Sequence, residues 1–239
     1  MGRKARNGGT MAEKPRRVTI QRDGPYLVTG SIPLAKLTIG VNAEGESVRW
    51  ERGETFPAQA QYALCRCGGS KKKPFCDGTH ARIGFDGTET ASRDPYLEQA
   101  EAIDGPTLRL TDAEPLCAFA RFCDPHGRVW NLVERSDEPE ARRHTEEEAA
   151  ACPGGRLVAW DKATGKAHEP NLQPQAGLVE DPAQGCSGGV ALWGGIEVVG
   201  ADGKGYEVRN RQTLCRCGAS QNKPFCDGTH ASMKFSDAT

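Results

Sequence analysis

Short alternations of apolar and polar residues run through the chain, and two of them bracket a glycine turn in the same way. Leu37, Ile39 and Val41 alternate up to V-N-A-E-G-E (residues 41–46), and Val48 and Trp50 resume the alternation beyond it. Further on, Ile196 and Val198 lead into V-G-A-D-G-K (residues 199–204), followed by Tyr206 and Val208. Period-two alternation around an E-G or D-G turn predicts a β-hairpin in each place. Residues 138–151 have a different character, with Pro139 near the start and E-A-R-R followed by E-E-E-A-A, and predict a solvated surface helix. Residues 162–189, rich in Gly, Pro, Gln and Asn, read as loop. The pattern predicts a mainly β chain with short helices, of the α+β class.

Composition narrows the picture. At 239 residues the chain can hold one large domain or two to three small ones. With 37% hydrophobic residues, 29 Gly and 15 Pro, modest cores and many turns are expected. Lys and Arg total 31 against 32 Asp and Glu, so no charge surplus marks a nucleic-acid surface. No apolar run approaches the ~20 residues that cross a bilayer. The basic start, residues 1–20, has no apolar stretch and is expected to be a flexible tail rather than a secretory signal, with Met11 as an alternative initiator. Ten cysteines without an export signal suggest a reducing, cytoplasmic setting and metal-bound or free thiols.

The thiols show where the chemistry lies. The peptide C-R-C-G-x-S-x-x-K-P-F-C-D-G-T-H occupies residues 65–80 and recurs without insertion at 215–230. The first copy offers Cys65, Cys67, Cys76 and His80, and the second Cys215, Cys217, Cys226 and His230. Leu64 and Leu214 precede them, and Phe85 and Phe235 follow at the same offset. Each peptide is expected to be a loop hung from a hairpin. A helical turn N-capped by Asp77 or Asp227 would then carry the imidazole in its first turn. Three thiolates and one imidazole suit either a zinc ion or an iron–sulfur cluster. C-x-C is tighter than the usual zinc knuckle and favours one iron of a flat Fe2S2 unit; the alternative is a structural Cys3His zinc-binding interaction protein. Gly68 and Gly78 are expected to let backbone N–H groups approach the sulfides.

Both copies resemble the CDGSH iron–sulfur (mitoNEET-like) family, whose pattern C-x-C-x2-[S/T]-x3-P-x-C-D-G-[S/A/T]-H they fit throughout. The resemblance implies two 2Fe–2S clusters, with Cys65 and Cys67 on the inner iron and Cys76 and His80 on the outer. Cys215 and Cys217 would likewise pair against Cys226 and His230. It also implies a soluble tandem member, a monomer whose two lobes (residues 21–94 and 186–239) form an internal pseudo-twofold pair. Such a protein is a carrier rather than an enzyme. It would pass electrons or whole clusters to a redox partner or apo iron–sulfur acceptor, with no nucleic acid and no membrane involved. A neutral imidazole competes with protons for its metal, so acid-sensitive ligation is expected. Lys71, Lys72 and Lys73, against Gln221, Asn222 and Lys223, predict a higher potential for the first site.

Between the lobes lies a middle segment, residues 95–185. Its L-C-A-F-A-R-F-C-D-P-H-G-R-V-W and A-C-P-G-G-R-L peptides are similar to the divergent single-cluster ferredoxin domain, with Cys117, Cys123 and Cys152 in the matching places. A fourth thiol is missing, with His126 or Cys186 as the candidates to complete a set. Cys117 also sits among Ala118, Phe119 and Phe122, as a buried structural thiol would. No third cluster is assigned on these residues. His144 and His168 are expected to face solvent and His126 to be a turn residue. No nucleotide-binding or hydrolase motif is present, so neither activity is expected.

Overall fold

In the computed structural model, which describes residues 15–237, the alternating runs become strands of two small sheets. The chain opens with β1 (Arg17–Ile20), β2 (Tyr26–Thr29), β3 (Leu34–Val41), β4 (Ser47–Thr55) and β5 (Gln61–Leu64), then α1 (Thr79–Arg82) and α2 (Tyr96–Gln99). The middle segment follows with β6 (Glu101–Asp104), β7 (Leu108–Asp112), α3 (Val129–Val133), α4 (Pro139–Ala151) and β8 (Leu157–Asp161). The chain closes with β9 (Gln175–Asp181), β10 (Cys186–Trp193), β11 (Glu197–Val199), β12 (Arg211–Leu214) and α5 (Thr229–Ser232).

The sheet orders are β11-β1-β2-β5 and β12-β10-β9-β3-β4, with β6-β7-β8 apart in the middle segment. The first two contain an exchange. β3 leaves β2 and runs parallel to β9 in the second sheet, while β11 leaves β10 and runs parallel to β1 in the first. The registers match across the exchange. Val18 pairs with Val28 and Val198 as Ala176 pairs with Leu192 and Leu34, and Tyr26 faces Leu64 as Val190 faces Leu214. These equivalences define the internal pseudo-twofold. Glycine turns the chain at both crossings: a Cβ at Gly30 would lie 2.7 Å from the Arg16 backbone, and one at Gly194 2.5 Å from the Pro174 nitrogen. Both residues also hold left-handed φ, which glycine adopts without a steric cost.

The apolar faces of the two sheets merge into one core containing Val18, Tyr26, Val28, Leu178, Leu192 and Val198. Removing this area from water is the main stabilising contribution. The middle segment has its own core of Leu108, Leu110, Val129, Val133 and Leu157, against which Cys123 and Cys152 pack.

Three sequence expectations change. The first hairpin forms, with Ile39 opposite Trp50, but the second shrinks to a bridge from Val199 to Gly205. There Tyr206 turns inward onto Phe225, ring centroids 5.1 Å apart, and Val208 is exposed instead of alternating inward. The tail stops short of residue 20, because Arg17–Ile20 is β1 with Val18 and Ile20 buried; residues 1–14 lie outside the described residues. The expected loop at 162–189 holds β9, a central strand of the second sheet, so that sheet begins before residue 186. Its Gly177 is a packing glycine, since a Cβ would meet Leu37 Cδ1 at 2.1 Å. The expected helix is α4, which also buries Ala141, Thr145, Glu148 and Ala149. No described helix is long and apolar enough to cross a membrane.

Candidate metal centres

Each duplicated peptide starts where an edge strand ends. Leu64 bridges to Phe75 and Leu214 to Phe225, and the Cys65 and Cys215 amides donate to the Pro74 and Pro224 carbonyls, both at 2.8 Å. Ser70 and Ser220 brace the fold-back, their hydroxyls donating to the Phe75 and Phe225 carbonyls. Both Lys–Pro bonds that follow are cis. Asp77 accepts from the Lys71 amide at 2.9 Å and the Thr79 amide at 3.0 Å, and these bonds hold its carboxyl well below the usual range. His80 falls in the first turn of α1 as expected. The N-cap position, however, belongs to left-handed Gly78, and the Asp77 side chain reaches past it. Asp227 and Gly228 repeat the arrangement at α5.

All eight expected ligands converge, four in each motif, and they converge in pairs. Cys65 Sγ lies 3.8 Å from Cys67 Sγ, and Cys215 Sγ 3.7 Å from Cys217 Sγ. Cys76 Sγ and Cys226 Sγ each lie 3.3 Å from Nδ1 of their histidine, His80 and His230. Two sulfurs bound at ~2.3 Å to one tetrahedral ion stand ~3.8 Å apart, so each pair spans one ion. The four donors of a motif do not close on a single ion. Among the described residues, the trio of donor atoms lying within 4.8 Å of one another comes from elsewhere in the chain, His126, His144 and Glu148. The donor sets therefore fit a group with two metal ions side by side.

Electrostatics agree with a site that needs a cation. The hydrogen bond shared by Cys215 and Cys217, together with burial, pushes the Cys215 thiol up, and the same bond holds Cys217 down. Burial pushes Cys226 up as well. Burial and the Arg216 guanidinium bring the His230 imidazole down to about 4, so it stays a neutral donor.

The two motifs stand back to back. A Cβ on Gly68 would sit 2.4 Å from the Cys217 carbonyl oxygen, and one on Gly218 2.7 Å from that of Cys67. Gly68 thus serves contact between the motifs, while a Cβ on Gly78 would meet open space and its amide donates to Cys76 Sγ at 3.5 Å. Tyr26, fully buried, donates to the Cys215 carbonyl at 2.8 Å and ties β2 to the second motif.

Exposure separates the sites. Cys76 and His80 are half-buried, whereas Cys226 and His230 are each 3% exposed. Part of the cover comes from the middle segment. Phe119 packs on Gly228, where a Cβ would meet Phe119 Cβ at 3.0 Å, and Asn222 donates to the Pro115 carbonyl. Phe119 and Arg121, between Cys117 and Cys123, both hold left-handed φ, 53° and 61°. Burial, then Asp124, Cys152 and Cys117, push the Cys123 thiol up to about 12, so the three middle thiols are electrostatic neighbours. Cys117 also acts on Cys226. The two candidates for a fourth ligand are engaged elsewhere. Cys186 opens β10 beside Asp181, Lys234 and Arg121, and His126 Nδ1 faces Glu148 Oε1 at 3.0 Å. His144 is not free in solvent but stacks on His126, and His168 lies 3.4 Å from Glu146.

Sequence reasoning missed the arginine inside C-R-C. Arg66 and Arg216 are 1% and 2% exposed. Arg66 donates to the Gly24 and Gly87 carbonyls, and Arg216 to the Gly188 and Val179 carbonyls and to Glu180 and Asp237. Each guanidinium also lies over the phenylalanine that follows its motif, Phe85 at 5.3 Å and Phe235 at 5.6 Å. Their repetition in both copies was the available signal.

Comparison with protein families agrees with this geometry. The model described as an iron-binding zinc finger of CDGSH type matches residues 23–81 and again 187–231. The model described as a divergent 4Fe-4S mono-cluster matches residues 103–162, which contain Cys117, Cys123 and Cys152. No curated protein and no solved structure matches the chain. The chain thus carries two CDGSH-type iron-binding domains in tandem, with a divergent 4Fe-4S mono-cluster domain set between them.

Proposed function

We propose that each CDGSH motif holds a 2Fe–2S cluster through three cysteines and one histidine, and that the protein is an electron carrier rather than an enzyme. The pairing of donors at 3.3–3.8 Å supports this over a structural zinc, which would draw all four donors around one ion. When bound, such a cluster supplies a one-electron couple whose potential the imidazole ligand raises. The match to a 4Fe-4S-type domain supports a third centre on Cys117, Cys123 and Cys152.

The observation that carries the relay reading is the enclosure of the second site. Its Cys217 backbone touches Gly68 of the first motif, and Phe119 from the middle thiol loop covers its Gly228. A site covered on both sides suits passage of electrons through the protein and is ill suited to handing over a cluster. The first site has Cys76 and His80 half-exposed, with Lys71 and Lys72 exposed beside them. It is the face for an acidic redox partner, and donation of a whole cluster to an apo acceptor would start there. The many thiols fit a reducing, cytoplasmic setting.

Anaerobic purification followed by iron, sulfide and zinc analysis tests the reading. A brown-red protein carrying about four irons and four sulfides on the two motifs, and more with the middle centre, is expected. Pale protein holding one zinc per motif would refute it. Incubation with an apo-ferredoxin should then remove iron from the first site and leave the second.

A further inference from the structure

The middle segment gathers a second kind of donor set, away from every thiol. His144 and Glu148 stand four residues apart on α4, on one helix face. His126, from the short turn after Cys123, closes over them in a left-handed conformation, φ 52°. Its Nδ1 is 3.0 Å from Glu148 Oε1, and its ring stacks on His144 with centroids 3.6 Å apart and planes 16° from parallel. One donor atom from each residue lies within 4.8 Å of the other two.

An ordinary ion pair leaves part of this unexplained. The Glu148 side chain is only 6% exposed, yet its Oε2 has no hydrogen-bond partner, and neither has His144 Nδ1. A buried carboxylate oxygen left unpartnered keeps its full desolvation penalty. The surroundings add negative charge: burial, then Asp124, Glu46 and Glu147, push the Glu148 carboxyl up to about 8. Glu140 also approaches His144. The nearby cation is Arg143, which faces His144 Nε2 at 3.2 Å and is exposed, with Glu140 and Glu147 as its other partners.

We propose that His126, His144 and Glu148 form a site for one divalent transition ion of the Zn2+ or Fe2+ class, separate from the iron–sulfur centres. Two imidazoles and a carboxylate are a donor set for such ions, with an open position left for water. Because an imidazole holds an ion in its own ring plane, the His126 ring on its exposed turn must rotate off the His144 stack to bind. His126 is half-exposed, which gives the ion a way in. The ion would also act as a brace. His126 follows Cys123 closely in the chain, and α4 ends at Cys152, so one bound ion would pin the segments that carry two of the three middle thiols.

The test uses the full chain as isolated, clusters in place, dialysed against Zn2+ alone, anaerobic Fe2+ alone, or Mg2+ alone. Metal is counted in the wild type, Glu148→Gln and His144→Asn. The wild type should retain one more equivalent of Zn2+ or Fe2+ than either variant, with an unchanged cluster spectrum, and its melting midpoint should rise with that ion's concentration. The tighter-held ion identifies the occupant. Equal retention in all three proteins, retention of Mg2+ to the same extent, or a midpoint indifferent to Zn2+ and Fe2+ would overturn the proposal. If Glu148→Gln does not fold, His126→Gln, on the exposed turn, gives the same comparison.

Discussion

The contact between the two motifs can be measured by one alanine against another. Gly68 and Gly78 both hold left-handed φ, +72° and +83°. An alanine at either pays the steric cost of that conformation, ~1–2 kcal/mol. At Gly78 nothing lies within 4 Å of the new methyl, so the cost ends there. At Gly68 the methyl would sit 2.4 Å from the Cys217 carbonyl oxygen and 2.9 Å from its carbon. Those atoms are backbone rather than the end of a flexible side chain, and they lie two residues past the Cys215 amide and carbonyl, which Pro224 and Tyr26 hold. Overpacking of this kind adds ~1–3 kcal/mol, for a total of ~2–5 kcal/mol. The assay is thermal and urea unfolding under anaerobic conditions, followed by far-ultraviolet dichroism and by cluster absorbance. Gly68→Ala should weaken both sites together, while Gly78→Ala should affect the first alone and by less. Equal effects of the two substitutions would refute the back-to-back packing.

Three more outcomes are expected. As pH falls, the first site should bleach before the second: His80 reaches water, while His230 is enclosed and its imidazole, held down to about 4, stays neutral and ligating until more acidic pH. Visible spectra of single-site variants should show His80→Cys protecting the first site and Phe119→Ala, which uncovers the second, moving its loss to higher pH. Arg216→Met strands Glu180 and Asp237 without their buried partner and should cost ~3–5 kcal/mol in urea unfolding; a loss under ~1 kcal/mol would show that packing alone sufficed. Lys71→Gln with Lys72→Asn should lower the potential of the first site in a redox titration, at ~0.4 kcal/mol per charge for ~10 Å in water. That difference should vanish in ~1 M salt, where such fields are screened.

The four close pairs, Cys65 with Cys67, Cys76 with His80, Cys215 with Cys217 and Cys226 with His230, were foreshadowed in the sequence because C-x-C and C-x3-H spacing is a local property. The sheet's wiring was not. Alternation at Leu37 and Ile39 marks a strand but says nothing of its partner, and β3 pairs with β9, far along the chain. β9 itself was hidden because Gly177 looks like a loop residue until Leu37 is seen packed against it. The difference between the sites was also out of reach, since part of it comes from Phe119, a residue of a segment that local reading kept separate. His126, His144 and Glu148 share no motif spacing, and only the folding of the turn onto α4 brings them together.

Because β3 completes the sheet of the second motif and β11 that of the first, neither half of the polypeptide is a finished module. A cut between them would leave each fragment with a vacant parallel edge that only its sibling can fill. The two fragments, made separately, should be poorly folded alone and reassemble when mixed. In the intact chain, losing either half strips a strand from the other, so the scaffold beneath each metal centre is complete only when both halves are present.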